Sequence, residues 1–126
     1  MKKLIVDLDG TLTKSDGSDY RNASPREDVI AQLRVYKEQG FEIVIATARN
    51  MRTYEGHVGK INVHTLPVII EWLDEHVVPY DEIIVGKPWC GRDGFYIDDR
   101  ALRPSEFVVL TYEEIEQLFE KEKQCS

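Results

Sequence analysis

The feature that most constrains this chain is the run Asp7-Leu8-Asp9-Gly10-Thr11-Leu12-Thr13, which directly follows the apolar stretch Leu4-Ile5-Val6. The apolar stretch has the character of a short buried strand. Because strand side chains repeat every second residue, the carboxylates at positions 7 and 9 should point the same way where the strand ends. Gly10 then lets the chain turn away at once. Such a pair can supply a nucleophile and a proton carrier, whereas an isolated Asp-x-Asp is often only a solvated turn.

Length and composition fit one domain spanning residues 1–126, with 42% hydrophobic residues to form a core. The net charge of −7, from 16 basic and 23 acidic residues, leaves no basic surplus for binding nucleic acid or anionic membranes. Cys90 and Cys125 are too few and too scattered for a disulfide framework, which favours reduced thiols in a cytoplasm. We see no secretory signal and no apolar run of membrane-spanning length.

Strand and helix signals alternate along the chain, which predicts an α/β fold built from parallel βαβ units. A first helix should begin with Ser24 as its N-cap and Pro25 in its first turn, and it should end at Gly40. A last helix should begin at Thr111, with Glu114 completing a capping box. The predicted strands are 3–8, 41–46, 82–85 and 94–97, with 106–110 as a fifth strand or an irregular link, and a further helix spans 66–77. Segment 14–23 is predicted to be a loop, and segment 49–64 is predicted to be irregular.

Each predicted strand ends in a polar residue of a distinctive type. Thr47 closes Ile45-Ala46-Thr47, Lys87 follows Val85-Gly86, and Asp98-Asp99 follows Phe95-Tyr96-Ile97. With the first run, these strand ends resemble the four motifs of the haloacid dehalogenase superfamily. The resemblance implies a three-layer, Rossmann-like, doubly wound parallel sheet that binds its ligand at the carboxyl ends of the strands. The cap would be minimal or absent, because the two insertion segments are short.

The resemblance also implies roles for the residues at the strand ends. Asp7 would be the nucleophile and Asp9 the general acid and base. Thr47 would donate a hydrogen bond to a phosphoryl oxygen, and Lys87 would keep the nucleophile charged and offset phosphate charge. Substrate contacts are expected from six residues near these ends: Gly10, Thr11, Thr47, Ala48, Arg49 and Arg52.

Clustered carboxylates would repel one another without a cation, so a metal belongs to the same hypothesis. Mg²⁺ prefers oxygen ligands, and here Asp7, the backbone carbonyl of Asp9 and the acids of the fourth motif would supply them. Alignment of strand ends favours Asp99 as the direct ligand and Asp98 as an outer or water-bridged one, with the reverse order left open.

The second acid, Asp9, favours a phosphatase over an ATPase or a dehalogenase, and the short insertions disfavour a phosphomutase. Residues 47–53, 86–89 and 94–100 look like those of small bacterial capsule-biosynthesis phosphatases, which implies a small phosphorylated metabolite, a sugar phosphate, as substrate. A nucleotidase is the alternative, since Ile-Asp-Asp-Arg is shared with deoxyribonucleotidases. A catalytically silent metal-binding regulatory module is the third possibility. A second subunit could close the open site.

Overall fold

The computed structural model describes residues 2–14 and 19–125, so residues 15–18 of the predicted loop lie outside the described residues. The elements, in chain order, are β1 Lys3–Val6, α1 Glu27–Glu38, β2 Glu42–Thr47, α2 Val58–His64, α3 Leu66–Glu75, β3 Glu82–Val85, α4 Pro104–Val109 and α5 Tyr112–Gln124. The chain divides into two compact units, Met1–Trp89 and Cys90–Ser126, which we call the first and second units. No helix among the described residues is both long and apolar enough to cross a membrane.

The three strands form a parallel sheet in the order β1-β2-β3. Val6 pairs with Ile45, and Ala46 pairs with Ile84, so the carboxyl ends of all three strands lie at the same edge. The central strand β2 is buried on both faces through Ile43, Val44 and Ile45. Continuous apolar residues and helical crossovers are typical of parallel sheets. The predicted α/β, Rossmann-type fold class is therefore confirmed.

Helices α1 and α3 supply much of the rest of the core of the first unit. Val29, Ile30, Leu33 and Tyr36 recur at helical spacing on α1 and are buried, as the sequence pattern predicts. Trp72 of α3 is almost fully buried, and its indole nitrogen donates to the Ala23 carbonyl, which precedes α1 in the chain (2.9 Å). The second unit has less buried apolar surface, centred on Ile115 of α5.

Several predicted boundaries are confirmed. Gly40 follows α1 with a φ of +94°, which suits a glycine, and Thr111 caps α5 by accepting from the Glu114 amide (3.2 Å). The Glu114 carboxylate in turn accepts from the Thr111 amide (2.9 Å).

Other predictions about elements are wrong. Helix α1 begins at Glu27 rather than at Ser24-Pro25, since Pro25 forms an isolated antiparallel bridge with Thr13. Segment 49–64 is more regular than expected, because α2 occupies its second half.

The two last predicted strands are also absent. Residues 94–97 belong to no strand of the described chain, and a strand forms only where a neighbour can accept its hydrogen bonds. The segment predicted as a fifth strand or link lies largely in helix α4. Pro104 at its first turn and Glu106, which accepts from the Arg103 amide (2.8 Å), are helix-start signals that outweigh the β-branched Val108 and Val109.

Asp81 fastens the start of β3 to the sheet and to α1. Its carboxylate accepts from the Ile43 amide (2.8 Å) and from Lys37 Nζ (2.7 Å), and its own amide donates to the Ile43 carbonyl (2.7 Å). The hydrogen bond from the Ile43 amide, and then the Lys37 ammonium, hold the pKa of Asp81 below its ordinary value of 3.8.

We expect Asp81→Asn to lower the midpoint of thermal unfolding at pH 7. A carboxyl group whose pKa is lowered by folding stabilises the protein at every pH above the pKa that the group has in the unfolded chain. This contribution is lost as the pH falls through the pKa of the folded state. The difference from wild type should therefore shrink below pH 3.8. Scanning calorimetry from pH 7 to pH 3, with Glu75→Gln on the exposed surface of α3 as control, measures this, and a difference independent of pH would contradict it.

Candidate active site

Three predicted site residues meet at the carboxyl ends of the three strands. Asp7 follows β1, Thr47 ends β2, and Lys87 lies two residues beyond β3. Lys87 Nζ is 3.5 Å from Asp7 Oδ1, and the Lys87 amide donates to the Thr47 carbonyl (3.1 Å). The Asp7 and Lys87 side chains are each about a third exposed, so a ligand can reach them. The structure thus places an accessible carboxylate beside a cation at the end of the sheet.

The loop after β1 turns tightly around one carbonyl. The Leu8 carbonyl oxygen accepts from three successive amides, those of residues 11–13 (2.9–3.2 Å), while the Leu8 side chain is fully buried and anchors the turn. Gly10 has a φ of +84°, a conformation that other residues adopt only with strain. The turn brings the Thr11 hydroxyl to Asp7, where it donates to Oδ2 (3.2 Å). Each carboxylate oxygen of Asp7 therefore faces a donor.

The second acid, Asp9, is held by Arg49 in a bidentate ion pair. Arg49 Nη2 donates to Asp9 Oδ1 (2.7 Å), and Nε donates to Oδ2 (3.0 Å). The Arg49 side chain is fully buried, whereas a quarter of the Asp9 side chain is exposed. Two parallel charge-assisted bonds of this kind fix both the position and the orientation of a carboxylate.

Arg49 is itself positioned by neighbouring groups. Its amide donates to the Thr47 hydroxyl oxygen (3.0 Å), and its guanidinium lies 4.1 Å from the centre of the Tyr20 ring. Nη1 is buried and has no hydrogen-bond partner among the residues that the structure describes. An accepting hydroxyl still has its own proton to donate, so Thr47 can serve Arg49 and a phosphoryl oxygen at once.

The contact between Arg49 and Asp9 has no local sequence signal, because the two residues lie forty positions apart. The substrate contact predicted for Arg49 stays a prediction. The position of Tyr20 beside Arg49 likewise has no clear sequence signal. Tyr20 lies in a polar segment, and Arg49 follows a strand far along the chain. Neither position in the sequence indicates that the two side chains meet, and only the tertiary structure shows the contact.

The segment after β2 is ordered by its own contacts. Asn50 has a φ of 62° and accepts at its side-chain oxygen from the Thr65 hydroxyl (2.6 Å), and Tyr54 stacks on His64 (5.7 Å between centroids). Arg52 is exposed on this segment, and Ala48 is half-buried. These contacts hold the segment that follows the end of β2 in a defined conformation. The substrate contacts predicted for Ala48 and Arg52 stay predictions.

Asp98 and Asp99 belong to the second unit, where both are exposed. The Arg100 amide donates to Asp98 Oδ1 (3.0 Å), and this bond is the main cause that holds the pKa of Asp98 below its ordinary value. The Asp98 carboxylate is therefore charged at neutral pH, and its oxygens can serve as ligands for a cation.

Among residues 2–14 and 19–125, no three His, Cys, Asp or Glu side chains are grouped to hold a metal ion. The donor chemistry at the strand ends nevertheless suits Mg²⁺, which takes one or two protein carboxylates and keeps several waters. Asp7 offers an accessible carboxylate, and the loop after it offers backbone carbonyls such as that of Asp9. The predicted ligation by Asp7, Asp9, Asp98 and Asp99 stays a prediction.

We expect Arg49→Met to destabilise the protein by about 1–3 kcal/mol, because Asp9 loses two charge-assisted hydrogen bonds while three quarters of its side chain stays out of water. Arg49→Lys should recover only part of this, since an ammonium cannot make the bidentate contact. Arg52→Met is the matched control on an exposed arginine and should change stability by less than about 0.5 kcal/mol. Urea unfolding measures all three, and equal stabilities of the two methionine variants would show that the ion pair contributes nothing.

Comparison with known proteins places this geometry in a family. Residues 4–71 match the model of the haloacid dehalogenase-like hydrolases. A crystal structure of a structural-genomics target from Vibrio cholerae is 77% identical, with a TM-score of 0.95 over 97% of this chain and 99% of that chain. A chain of the Pnkp1/Rnl/Hen1 complex is 20% identical, with a TM-score of 0.51 over 86% of this chain and 34% of that one, and so shares the fold alone. No curated protein matches the chain. On the family match, which covers more than half of its residues, the chain belongs to the haloacid dehalogenase-like hydrolases.

Proposed function

We propose that this protein is a Mg²⁺-dependent phosphomonoester hydrolase of the small capless type, acting through an aspartyl phosphate on Asp7. The observation that carries the proposal is the accessible Asp7 carboxylate, which lies between the Lys87 ammonium and the Thr11 hydroxyl at the end of a parallel strand. Membership of a hydrolase family supports it. A second carboxylate, Asp9, lies two residues further along and is fixed in orientation by Arg49.

In the first half-reaction, an Asp7 carboxylate oxygen attacks phosphorus and the ester oxygen leaves. Asp9 protonates that leaving oxygen, so that the product is a neutral alcohol and the phosphoryl group is held as an acyl phosphate. In the second half-reaction, Asp9 takes a proton from water as the water attacks phosphorus. Cleavage releases inorganic phosphate and restores the Asp7 carboxylate. Lys87 and the Thr47 hydroxyl stabilise the charge on the transferring phosphoryl oxygens.

Arg49 acts on this cycle through Asp9. Both Asp9 oxygens accept from Arg49 in the structure, and arginine has no acceptor of its own. Each carboxyl oxygen has two lone pairs, so Asp9 can carry a proton at a lone pair that Arg49 leaves free while Arg49 keeps the group in place. Arg49 is thus a positioning residue, and the Tyr20 ring packs against its guanidinium.

Mg²⁺ would be held by Asp7, the Asp9 carbonyl and the acids Asp98 and Asp99, with Asp99 as the direct ligand of the two. When bound, the ion neutralises phosphoryl charge and orients the phosphate for in-line attack. The protein side chains around it keep Asp7 charged and oriented. Two free cysteines, Cys90 and Cys125, are compatible with the reducing cytoplasm that we propose as its location.

For the substrate we propose a small sugar phosphate, in the synthesis of capsule or another surface polysaccharide. The likeness of residues 47–53, 86–89 and 94–100 to capsule-biosynthesis phosphatases supports this choice. The rival is a nucleotidase, which one observation favours: Trp89 is 53% exposed two residues after Lys87, where a base could stack. A silent metal-binding module is disfavoured, because both Asp7 and Asp9 are present.

We expect Asp7→Asn to abolish hydrolysis of p-nitrophenyl phosphate, since an amide cannot attack phosphorus, and Asp9→Asn to slow it by about 10²–10⁴-fold, the usual contribution of a positioned acid and base. Chelation of divalent cations should remove activity, and Mg²⁺ but not Ca²⁺ should restore it. Glu75→Gln, on the exposed surface of α3, is the control and should keep wild-type kcat/KM. Wild-type turnover by Asp7→Asn would rule out the nucleophile, and activity that survives chelation would rule out the metal.

A substrate panel separates the two candidate activities. We expect measurable kcat/KM on several hexose and heptose phosphates and lower values on nucleoside monophosphates. Trp89→Ala should leave sugar-phosphate hydrolysis unchanged, because its ring is not required to bind a hydroxyl-rich ligand. A strong preference for one nucleotide that disappears in Trp89→Ala would replace the sugar-phosphate assignment with the nucleotidase.

A further inference from the structure

Tyr20 lies beside the ion pair between Arg49 and Asp9, although it belongs to a separate segment of the chain. The Arg49 guanidinium lies over its ring, with 4.1 Å between Cζ and the ring centre. A cation at this distance from an aromatic face is attracted by the electron density of the ring. Tyr20 is half-buried, and the Arg49 side chain is fully buried. The ring therefore keeps water away from one face of the guanidinium.

The segment that carries this tyrosine, residues 19–26, is held by the core of the first unit. The Trp72 indole nitrogen donates to the Ala23 carbonyl (2.9 Å), and Trp72 is almost fully buried. The Arg26 amide donates to the Leu12 carbonyl (2.8 Å), which joins the segment to the loop that follows β1. These bonds are made by the protein alone, so the position of the ring is set before any substrate binds.

Hydrogen bonds hold the Arg49 guanidinium on one side. Nε and Nη2 donate to the two Asp9 oxygens, whereas Nη1 is buried and has no hydrogen-bond partner within residues 2–14 and 19–125. The N–H bonds of a guanidinium lie in its plane, so these contacts resist movement within that plane. Movement out of the plane is opposed by the groups that pack on its faces. The Tyr20 ring is placed to oppose it.

We propose that Tyr20 is a positioning residue for proton transfer by Asp9, because its ring holds the guanidinium that holds the Asp9 carboxyl group. The proposal rests on the proposed function, which makes Asp9 the general acid and base. Proton transfer requires the acid within hydrogen-bond reach of the leaving oxygen, and a displacement of about 1 Å can cost a large part of the rate. Attack by Asp7 should not depend on Tyr20, since the Asp7 carboxylate contacts Lys87 and Thr11 instead.

Two aryl phosphates separate proton transfer from binding and attack. Phenyl phosphate and p-nitrophenyl phosphate have similar shapes, but phenolate is the more basic leaving group and depends more on a proton from Asp9. The ratio kcat/KM reports the steps up to release of the phenol, so hydrolysis of the aspartyl phosphate does not enter the comparison. A misplaced acid therefore lowers kcat/KM more for phenyl phosphate than for p-nitrophenyl phosphate.

We expect Tyr20→Leu to lower kcat/KM for phenyl phosphate by about 10-fold, and kcat/KM for p-nitrophenyl phosphate by less. Tyr20→Phe keeps the ring and should match the wild type. Tyr80→Leu is the matched control, since Tyr80 is also half-buried but donates to Asp74 (2.8 Å) and precedes β3, at the end of that strand opposite to Lys87. No loss in Tyr20→Leu, equal losses on the two esters, or the same loss in Tyr20→Phe overturns the proposal.

A double variant tests whether the effect of Tyr20 passes through Arg49. Arg49→Lys removes the bidentate contact with Asp9, so the ring then has no guanidinium to hold. Tyr20→Leu added to Arg49→Lys should therefore lower kcat/KM for phenyl phosphate no further than Arg49→Lys alone. Losses that multiply in the double variant would show that Tyr20 acts independently of Arg49 and would overturn the proposal.

Nuclear magnetic resonance follows the guanidinium itself, without reference to activity. The Nε–H signal of Arg49, identified by its absence from Arg49→Met, should be visible in the isotope-labelled wild type and in Tyr20→Phe, because the group is buried and bonded to Asp9. It should be lost in Tyr20→Leu through exchange with water. A signal that persists in Tyr20→Leu, or is missing from the wild type, overturns the proposal. A wild type that hydrolyses neither ester, with the signal behaving as expected, would instead reject the proposed function and leave the contact between Tyr20 and Arg49 standing.

Discussion

The central strand β2 is the part on which the rest of the structure depends. It is the only strand of the described sheet with a neighbour on each side, and its Ile43, Val44 and Ile45 are buried on both faces. Parallel pairing with β1 and β3 brings three strand ends to one edge. Asp81 strengthens this arrangement by linking the β2 backbone to Lys37 of α1. The catalytic candidates are brought together because this register aligns the carboxyl ends of the three strands.

The two ion pairs at that edge differ in length and in exposure to solvent. The contact between Lys87 and Asp7 is long at 3.5 Å and open to solvent, so a phosphoryl group can enter between or beside its partners. The contact between Arg49 and Asp9 is short, bidentate and buried on the arginine side. A loose pair suits a group that must bind and react, whereas a tight pair suits one that must hold its orientation. This contrast supports separate roles for the two acids.

Local chemistry in the sequence determined the elements whose signals are local. The apolar runs of β1, β2 and β3, the helical spacing on α1 and the capping pair Thr111 and Glu114 all predicted their structures correctly, because each depends on residues a few positions apart. The run from Asp7 to Thr13 likewise identified the family. Tertiary structure decided the rest. Residues 94–97 have the composition of a strand but form none in this chain, since a strand exists only with a neighbour. Arg49 and Asp9 lie forty residues apart, and only the register of β1 on β2 brings the guanidinium to the carboxylate.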